Sequence, residues 1–481
     1  MLQDRHFHIA RFNLEAATPL SISTGSPDGV FDTALVSDAN GLPAIPGSSL
    51  AGVLRHLYQD TYGEDEAKAL FGYQEPGVGH AGAGRGSRVQ VAWGCILDSS
   101  SRPVDRLALG EDLKRIRNDA LFTAVLSQAE EPVFRNRVGL GPRGAASDRG
   151  KFDRAVLPAG HRFACELVLW SPQRGDTSWR NLLALLTDPR LRVGGITRAG
   201  LGRMKLTRLY TGYFDLAEPA NAQSFRDLGR GIGDIEGLTD TGFTTDSVPD
   251  GWTKLTLKLK AQDSRRIGQG DSPLGDYDKE PDAIPVVEER IVWRDGRGER
   301  RLALPLVPGS AVKGALAHRV AFYANCLADT WAETVEDSSG WNKSEQCPTV
   351  REIFGYSKQR VVAGKATGQA GRLLIDDTCI ELHDGKIVRL MHNAIDRFTG
   401  GVRDRLLFSE ELLWQSDIEL RFLIHTARLS EDARKALRLA LDDLLDKRLP
   451  LGAGGGKGHG RFKGTADPAL DKVFGAKEAT T

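Results

Sequence analysis

Ile45-Pro46-Gly47-Ser48-Ser49-Leu50-Ala51-Gly52-Val53-Leu54-Arg55 returns in near copy as Val307-Pro308-Gly309-Ser310-Ala311-Val312-Lys313-Gly314-Ala315-Leu316. Each copy ends a strand-like apolar run and opens a helix, with Ser placed to cap its first turn. The first N–H groups of such a helix have no intrahelical acceptor. Together with the positive end of the helix dipole they make a seat for phosphate. A single Pro-Gly-Ser before a helix is ordinary capping chemistry; its return in matched surroundings points to a tandem duplication.

Further landmarks recur in the same order. Leu70-Phe71-Gly72-Tyr73 precedes a Gly-rich loop and a strand-like run over 89–97; Ile353-Phe354-Gly355-Tyr356 precedes another such loop and Arg372-Leu373-Leu374-Ile375. Arg135-Asn136-Arg137-Val138-Gly139-Leu140 through Phe152-Asp153 matches in plan His392-Asn393-Ala394-Ile395-Asp396-Arg397-Phe398-Thr399-Gly400-Gly401 through Phe408-Ser409-Glu410, and both read as long exposed hairpins. Each half then closes with a strand (163–170; 418–424), a leucine-rich helix (179–186; 433–445) and a glycine loop (193–203; 451–461).

This order predicts a first domain over 1–217, a polar Gly/Asp-rich linker over 218–250, a second domain over 251–468 and a C-terminal tail over 469–481. The second domain opens on Leu255-Thr256-Leu257-Lys258-Leu259-Lys260, a clean period-two strand. A half that runs strand, helix, strands, helix, strand predicts an α+β fold with a split βαβ, ferredoxin-like core.

A chain of 481 residues exceeds one comfortable core and fits two. Hydrophobic content of 40% and charged content of 27% describe a globular chain, and no stretch approaches the ~20 apolar residues of a membrane span. The N-terminal stretch lacks an apolar signal core, so a cytoplasmic location is expected. Lys+Arg and Asp+Glu balance at 64 each, so the case for nucleic acid rests on local charge. Cys95, Cys165, Cys326, Cys347 and Cys379 show no metal-ligand or disulfide spacing, and the ten histidines are dispersed and expected to pair with nothing.

The glycine loops carry the strongest chemical signal. Clustered glycines such as Gly194, Gly195, Gly454, Gly455 and Gly456 let backbone approach a phosphodiester, and Arg198, Arg203, Lys457, His459 and Arg461 add positive charge. Gly452 to Lys457 is superficially like a nucleotide-binding P-loop but is one residue short, and Gly458 stands where Ser or Thr must hold Mg²⁺. The hairpins interleave Arg135, Arg137 and Arg154, and Arg397, Arg403 and Arg405, with Phe152, Phe398 and Phe408. Solvated basic hairpins are common, yet aromatics among arginines can also stack on bases or wedge between them. Asp32, read alone, is a turn residue.

Taken together, Ile-Pro-Gly-Ser-Ser-Leu-x-Gly after a β-run, Leu-Phe-Gly before a Gly-rich loop, Ile395-Asp396-Arg397-Phe398-Thr399-Gly400 with Phe408 downstream, and the closing glycine loops resemble the RAMP superfamily. More narrowly, they resemble the backbone subunits of type III CRISPR effector complexes, over nearly the whole chain and in two copies. The resemblance implies an RRM-like, ferredoxin-like palm with a protruding thumb hairpin. It also implies assembly with other RAMP-type subunits along a CRISPR guide RNA, and Mg²⁺- or Mn²⁺-dependent cleavage of complementary target RNA beside each thumb.

The family's catalytic loop Asp lies six residues before an Asp that precedes the Pro-Gly-Ser turn, and Asp32 stands six before Asp38. Asp32 is therefore the expected cleavage residue and metal ligand. In the second half the count from Asp295 selects Glu289, whereas alignment on the Pro-Val-Val run selects Asp282. The implied RNA-binding set is Ser48, Ser49, Arg55, Arg137, Gly194, Gly195, Arg198, Arg203, Ser310, Lys313, Arg397, Phe398, Gly454, Gly455, Gly456, Lys457, His459 and Arg461. Two alternatives stand beside this reading. One is a non-catalytic RNA-binding scaffold; the other is a guide-processing RAMP endoribonuclease, which usually needs a catalytic His, and no His occupies matched positions in both halves.

Overall fold

The computed structural model describes residues 4–23, 34–74, 84–130, 133–141, 146–245, 247–331, 347–356, 368–382 and 385–475. Its first half runs β1 (His6–Ala16), α1 (Gly47–Tyr62), β2 (Gly94–Ile96), β3 (Arg137–Leu140), β4 (Ala146–Phe152), β5 (Arg162–Ser171), α2 (Thr177–Ala184) and β6 (Met204–Asp215). The second runs β7 (Thr253–Ala261), β8 (Val287–Arg294), β9 (Arg297–Val307), α3 (Gly309–Leu327), β10 (Leu373–Ile375), β11 (Ile387–His392), β12 (Phe408–Trp414), β13 (Asp417–Ile424), α4 (Glu431–Leu445) and β14 (Phe462–Ala466), with shorter elements between.

The two sheets share one strand order. In the first it is β2-β5-β1-β6, in the second β10-β13-β7-β14, and every pairing is antiparallel. With α1 and α3 after the first core strand, and α2 and α4 after the third, each half is the expected ferredoxin-like palm.

Side-chain periodicity explains each layer. On α1, Leu50, Leu54, Leu57 and Tyr58 recur at helical spacing and sink against Phe12, Leu14, Phe163 and Leu167 of the sheet. On α3, Val312, Leu316 and Val320 do the same against Leu257, Leu259 and Phe422. Burying each of these side chains contributes about 1.5–3 kcal/mol. Along β7, Leu255, Leu257 and Leu259 face this core while Thr256 and Lys258 between them do not.

The segment expected to be a linker is structured. Pro219–Asp227 is a helix, Thr239–Asp240 extends the first sheet beside β6, and Phe225, Leu228 and Leu238 pack with Phe7, Phe214 and Trp170 on the sheet's second face. An antiparallel sheet with apolar residues on both faces needs such a cover. Arg11 ties it down by donating Nη2–H to Gly229 O at 2.8 Å.

Both expected hairpins are present. Strands β3 and β4 pair Arg137 with Phe152, and β11 and β12 pair His392 with Phe408. The hairpin β8–β9 was not visible as a connector in the sequence. It reaches across to the first half, where Ile291 N donates to Ala159 O at 2.8 Å, Trp293 Nε1 to Gly160 O at 2.7 Å and Gly298 N to Ser99 O at 2.9 Å. The Arg162 guanidinium lies 4.2 Å from the centre of the Trp293 ring. Among the described residues no helix is long and apolar enough to cross a membrane.

Candidate nucleic-acid interface

The first glycine loop meets the opening of α3, and the polar groups there are taken up within each half and across the junction. Gly195 N donates to Ser21 O at 2.7 Å and Gly202 N to Pro19 O at 2.8 Å, so neither is free for a phosphate. Gly194, at φ +90°, lies against Ser21 O, and Gly200, at φ +118°, sits where any side chain would overlap the Asp377 carboxylate. Arg198 Nη1 donates to Gly371 O, while Arg192 Nη2 and Arg203 Nη1 each lie 2.5 Å from Asp376. Burial opposes ionisation of Asp376, but the charges and hydrogen bonds of these two arginines outweigh it and hold its carboxyl below the usual range.

The anion at the positive end of α3 is the protein's own. Gly309 N donates to Asp377 Oδ1 at 2.6 Å, and Asp377 Oδ2 lies 2.9 Å from Arg135 Nη2. Arg135 also makes a two-pronged contact with Glu288, Nε to Oε1 at 2.9 Å and Nη2 to Oε2 at 2.8 Å. Burial pushes the Glu288 carboxyl up, against the pull of Arg135. Ser310 is half-buried beside this network, and Lys313 Nζ donates to Phe354 O at 3.1 Å. Asp377, Asp376 and Glu288 escaped the sequence reading because partners from separate domains leave no periodic trace.

The opposite pair of surfaces is differently placed. Opening α1, Ser48 is exposed and Ser49 half-exposed, with no acidic residue in the first turn and no side-chain cap; Arg55 lies half-buried two turns on. In the second glycine loop Ala453 N and Gly460 N anchor to Arg266 O and Ser264 O. Gly454, at φ +74°, packs against His459, and Gly455 packs against Pro450. Gly456 has open space where a side chain would project, and Lys457 and Arg461 are exposed. Arg461 Nη1 donates to Lys447 O at 2.8 Å, and Lys457 Nζ stands 4.9 Å from the centre of the Phe408 ring.

The hairpins divide the same way. The first leans on α3, with His318 Nε2 3.2 Å from Leu140 O, and Arg137 lies 5.6 Å from the Phe152 ring centre. The second projects a tip shaped by Asp396, whose Oδ1 accepts from Phe398 N and Thr399 N, each at 2.9 Å. These bonds hold the Asp396 carboxyl below its ordinary range. Phe398 is 95% exposed, with Arg397, Ile395 and Val402 exposed beside it. So exposed a ring adds nothing to the core, and aromatic rings presented this way can stack on bases.

Of the acidic candidates, Asp32 lies outside the described residues. Asp282 is exposed beside the root of the second hairpin, where Ser409 N donates to its Oδ2 at 2.8 Å; that bond lowers its carboxyl below the ordinary range. Glu289 lies on β8 and is engaged by Arg300, Nη2 to Oε2 at 2.5 Å. Its neighbour Glu288 pairs instead with Arg135, at the root of the first hairpin.

The expectation that the histidines pair with nothing is corrected at the root of the second hairpin. His392 Nε2 lies 2.5 Å and His459 Nε2 3.9 Å from Glu410 Oε1. His459 is therefore buried, and Lys457 and Arg461 carry the exposed charge of that loop. Burial opposes ionisation of Glu410, yet the hydrogen bond and charge of Arg266 outweigh it and hold its carboxyl below the usual range.

Comparison with known proteins gives one family. The RAMP superfamily matches residues 13–205 and 296–463, which is most of the chain and both halves. No curated protein matches. Among solved structures the chain is similar to one in the cryo-EM structure of the type III-B Cmr-beta bound to cognate target RNA, at 16% identity and a TM-score of 0.29. The match covers 44% of this chain and 62% of that one, so the chain spans less than two thirds of its relative's length.

Proposed function

Taking as premise that this chain belongs to the RAMP superfamily in both halves, we propose that it is a guide-RNA-binding backbone subunit of a type III CRISPR effector complex, acting in the cytoplasm. The observation that carries the reading is the asymmetry of the doubled palm. The inner glycine loop is closed by Ser21 O and Pro19 O and by Gly371 O and Asp376 of the second palm, and the inner helix opening by Asp377, while Ser48, Lys457, Arg461 and the second hairpin tip stay exposed.

In this reading guide phosphates run past Ser48, Ser49 and Arg55 at one end and Lys457 and Arg461 at the other. Such contacts position the strand without reading its sequence. RAMP-type neighbours would repeat the inner junction at the two ends of the chain. Arg397 and Phe398 would enter the guide–target duplex, and the stack of Phe398 on an unpaired base would hold one nucleotide out of line.

Target cleavage then needs little besides positioning. A carboxylate that orients or deprotonates a 2′-hydroxyl already in line with the scissile phosphate suffices, and this would confine cutting to RNA. We assign that role to Asp32, with Asp282 as the counterpart beside the second hairpin. Mg²⁺ or Mn²⁺ would neutralise phosphate charge; these ions keep most of their water and need only one or two carboxylates. Exposed Asp282 fits that demand, whereas Glu289, already neutralised by Arg300, does not. Among the described residues no group of three acidic or other metal-ligating side chains converges at Asp282 or Glu289.

The engagement of Asp282 by Ser409 and of Glu289 by Arg300 favours a second reading for the second half alone, a scaffold without a cut of its own. Complexes assembled with Asp32→Ala, Asp282→Ala or Glu289→Ala, incubated with complementary RNA, separate these readings. The expected result is loss of one target cut with Asp32→Ala, retention of all cuts with Glu289→Ala, and unchanged guide affinity in each. A complete fragment ladder from the Asp32→Ala complex would leave the first domain a scaffold as well.

A further inference from the structure

Three residues far apart in sequence converge where the second hairpin meets the second glycine loop. His392 ends β11, Glu410 lies on β12 and His459 lies in the loop, and one ligand atom from each falls within 4.8 Å of the others. We propose that these residues form a site for a divalent cation of the zinc class, which clips the hairpin to the glycine loop.

Two of the three ligand atoms are orphans. His392 Nε2 and Glu410 Oε1 are buried and make no hydrogen bond, although they lie 2.5 Å apart. Glu410 is only 3% exposed, so the lone pairs of its Oε1 face neither water nor a well-aligned donor. A buried acceptor in that state forfeits the solvation it had in the unfolded chain, and a coordinated cation removes the cost for both atoms at once.

The surroundings orient the ligands as supporting residues do around metals. His459 Nδ1 lies 2.6 Å from Ser264 Oγ; donation of Nδ1–H to that hydroxyl leaves the Nε2 lone pair facing Glu410. Glu410 Oε2 accepts from Arg266 Nε at 3.2 Å, which fixes the carboxylate and leaves Oε1 to the cluster. The His392 ring is stacked on Phe408, with centroids 4.9 Å apart and planes at 24°.

Donor chemistry selects the ion. Two imidazole nitrogens and one carboxylate oxygen suit Zn²⁺ or Co²⁺, whereas Mg²⁺ and Ca²⁺ prefer oxygen throughout. Three protein ligands leave the fourth tetrahedral position to water. One group opposes the ion: Lys457 Nζ stands 3.9 Å from Glu410 Oε1, and its half-exposed side chain can swing away. Binding should therefore strengthen when Lys457 loses its charge. The site is independent of the RNA reading, since it needs only the folded second domain.

The test uses the full-length chain stripped of metal by a chelator and titrated with Co²⁺ alone, reading the visible ligand-field bands of four-coordinate cobalt. Zn²⁺ titration followed by thermal unfolding runs in parallel. The wild type should show one saturable four-coordinate site and a Zn²⁺-dependent rise in Tm that Mg²⁺ does not reproduce. His392→Gln, at a half-exposed position where folding is little disturbed, should weaken binding at least about tenfold, as should Glu410→Gln; Lys457→Ala should tighten it. No four-coordinate spectrum in the wild type, or a site that survives His392→Gln unchanged, would overturn the proposal.

Discussion

The chain contains the same glycine loop twice and uses it in two ways. Residues 193–203 press against the neighbouring palm, with Gly200 against Asp377 and Arg203 against Asp376; residues 451–461 face outward with Lys457 and Arg461 exposed. The two helix openings invert the pattern: the second is filled by Asp377, whereas Ser48 in the first turn of the first is exposed. The difference teaches that a Gly/basic loop can serve as a docking surface between palms, so its composition alone does not make it a phosphate seat.

The largest effect expected from breaking the comparison belongs to Arg135. Arg135→Ala leaves Glu288 and Asp377 buried without their shared cation and should destabilise the folded chain by about 3–5 kcal/mol in denaturant unfolding. A loss under about 1 kcal/mol would mean that the junction is not what joins the halves.

Next is a matched pair of glycines. Gly200→Ala combines a left-handed backbone with an overlap on Asp377 and should cost about 2–4 kcal/mol. Gly456→Ala, into open space, should stay within about 0.5 kcal/mol. Equal costs in the two variants would erase the distinction between the loops.

A smaller effect should follow pH. The Asp376 carboxyl is held below its ordinary 3.8, so the stability it contributes is present above that value and is lost as pH falls through the folded-state pKa. Glu288, pushed up by burial, has the opposite sign and favours the fold at the acid end. Unfolding free energies measured on the acid side of pH 3.8 should fall less steeply in Asp376→Asn than in the parent. Identical slopes would remove Asp376 from the acid response.

Much of this was legible in the residues. Period-two strands such as 255–260, the Pro-Gly-Ser helix openings and the leucine-rich second helices gave each palm, because local pattern and burial agree there. The long hairpin from His392 to Glu410 was also legible, and His392 pairs with Phe408 at its root. What escaped was long-range partnership. The β8–β9 clasp reads locally as an ordinary hairpin, and its hold on Ala159 and Gly160 comes only with tertiary structure. The predicted linker looked polar because its few apolar residues, Phe225, Leu228 and Leu238, cover the sheet without any period. His392 and His459 looked dispersed because their meeting at Glu410 depends on how the second hairpin folds back onto the glycine loop.

The central claim is that the outer glycine loop, and not the inner one, holds RNA. Binding of the full-length protein to single-stranded guide RNA, measured across a salt series, tests it through the double variant Lys457→Glu/Arg461→Glu. The account predicts weaker binding, a log–log salt slope reduced by roughly 1.4, about 0.7 for each phosphate left without its cation, and stability within about 0.5 kcal/mol of the parent. An unchanged affinity and slope in that folded variant would contradict it.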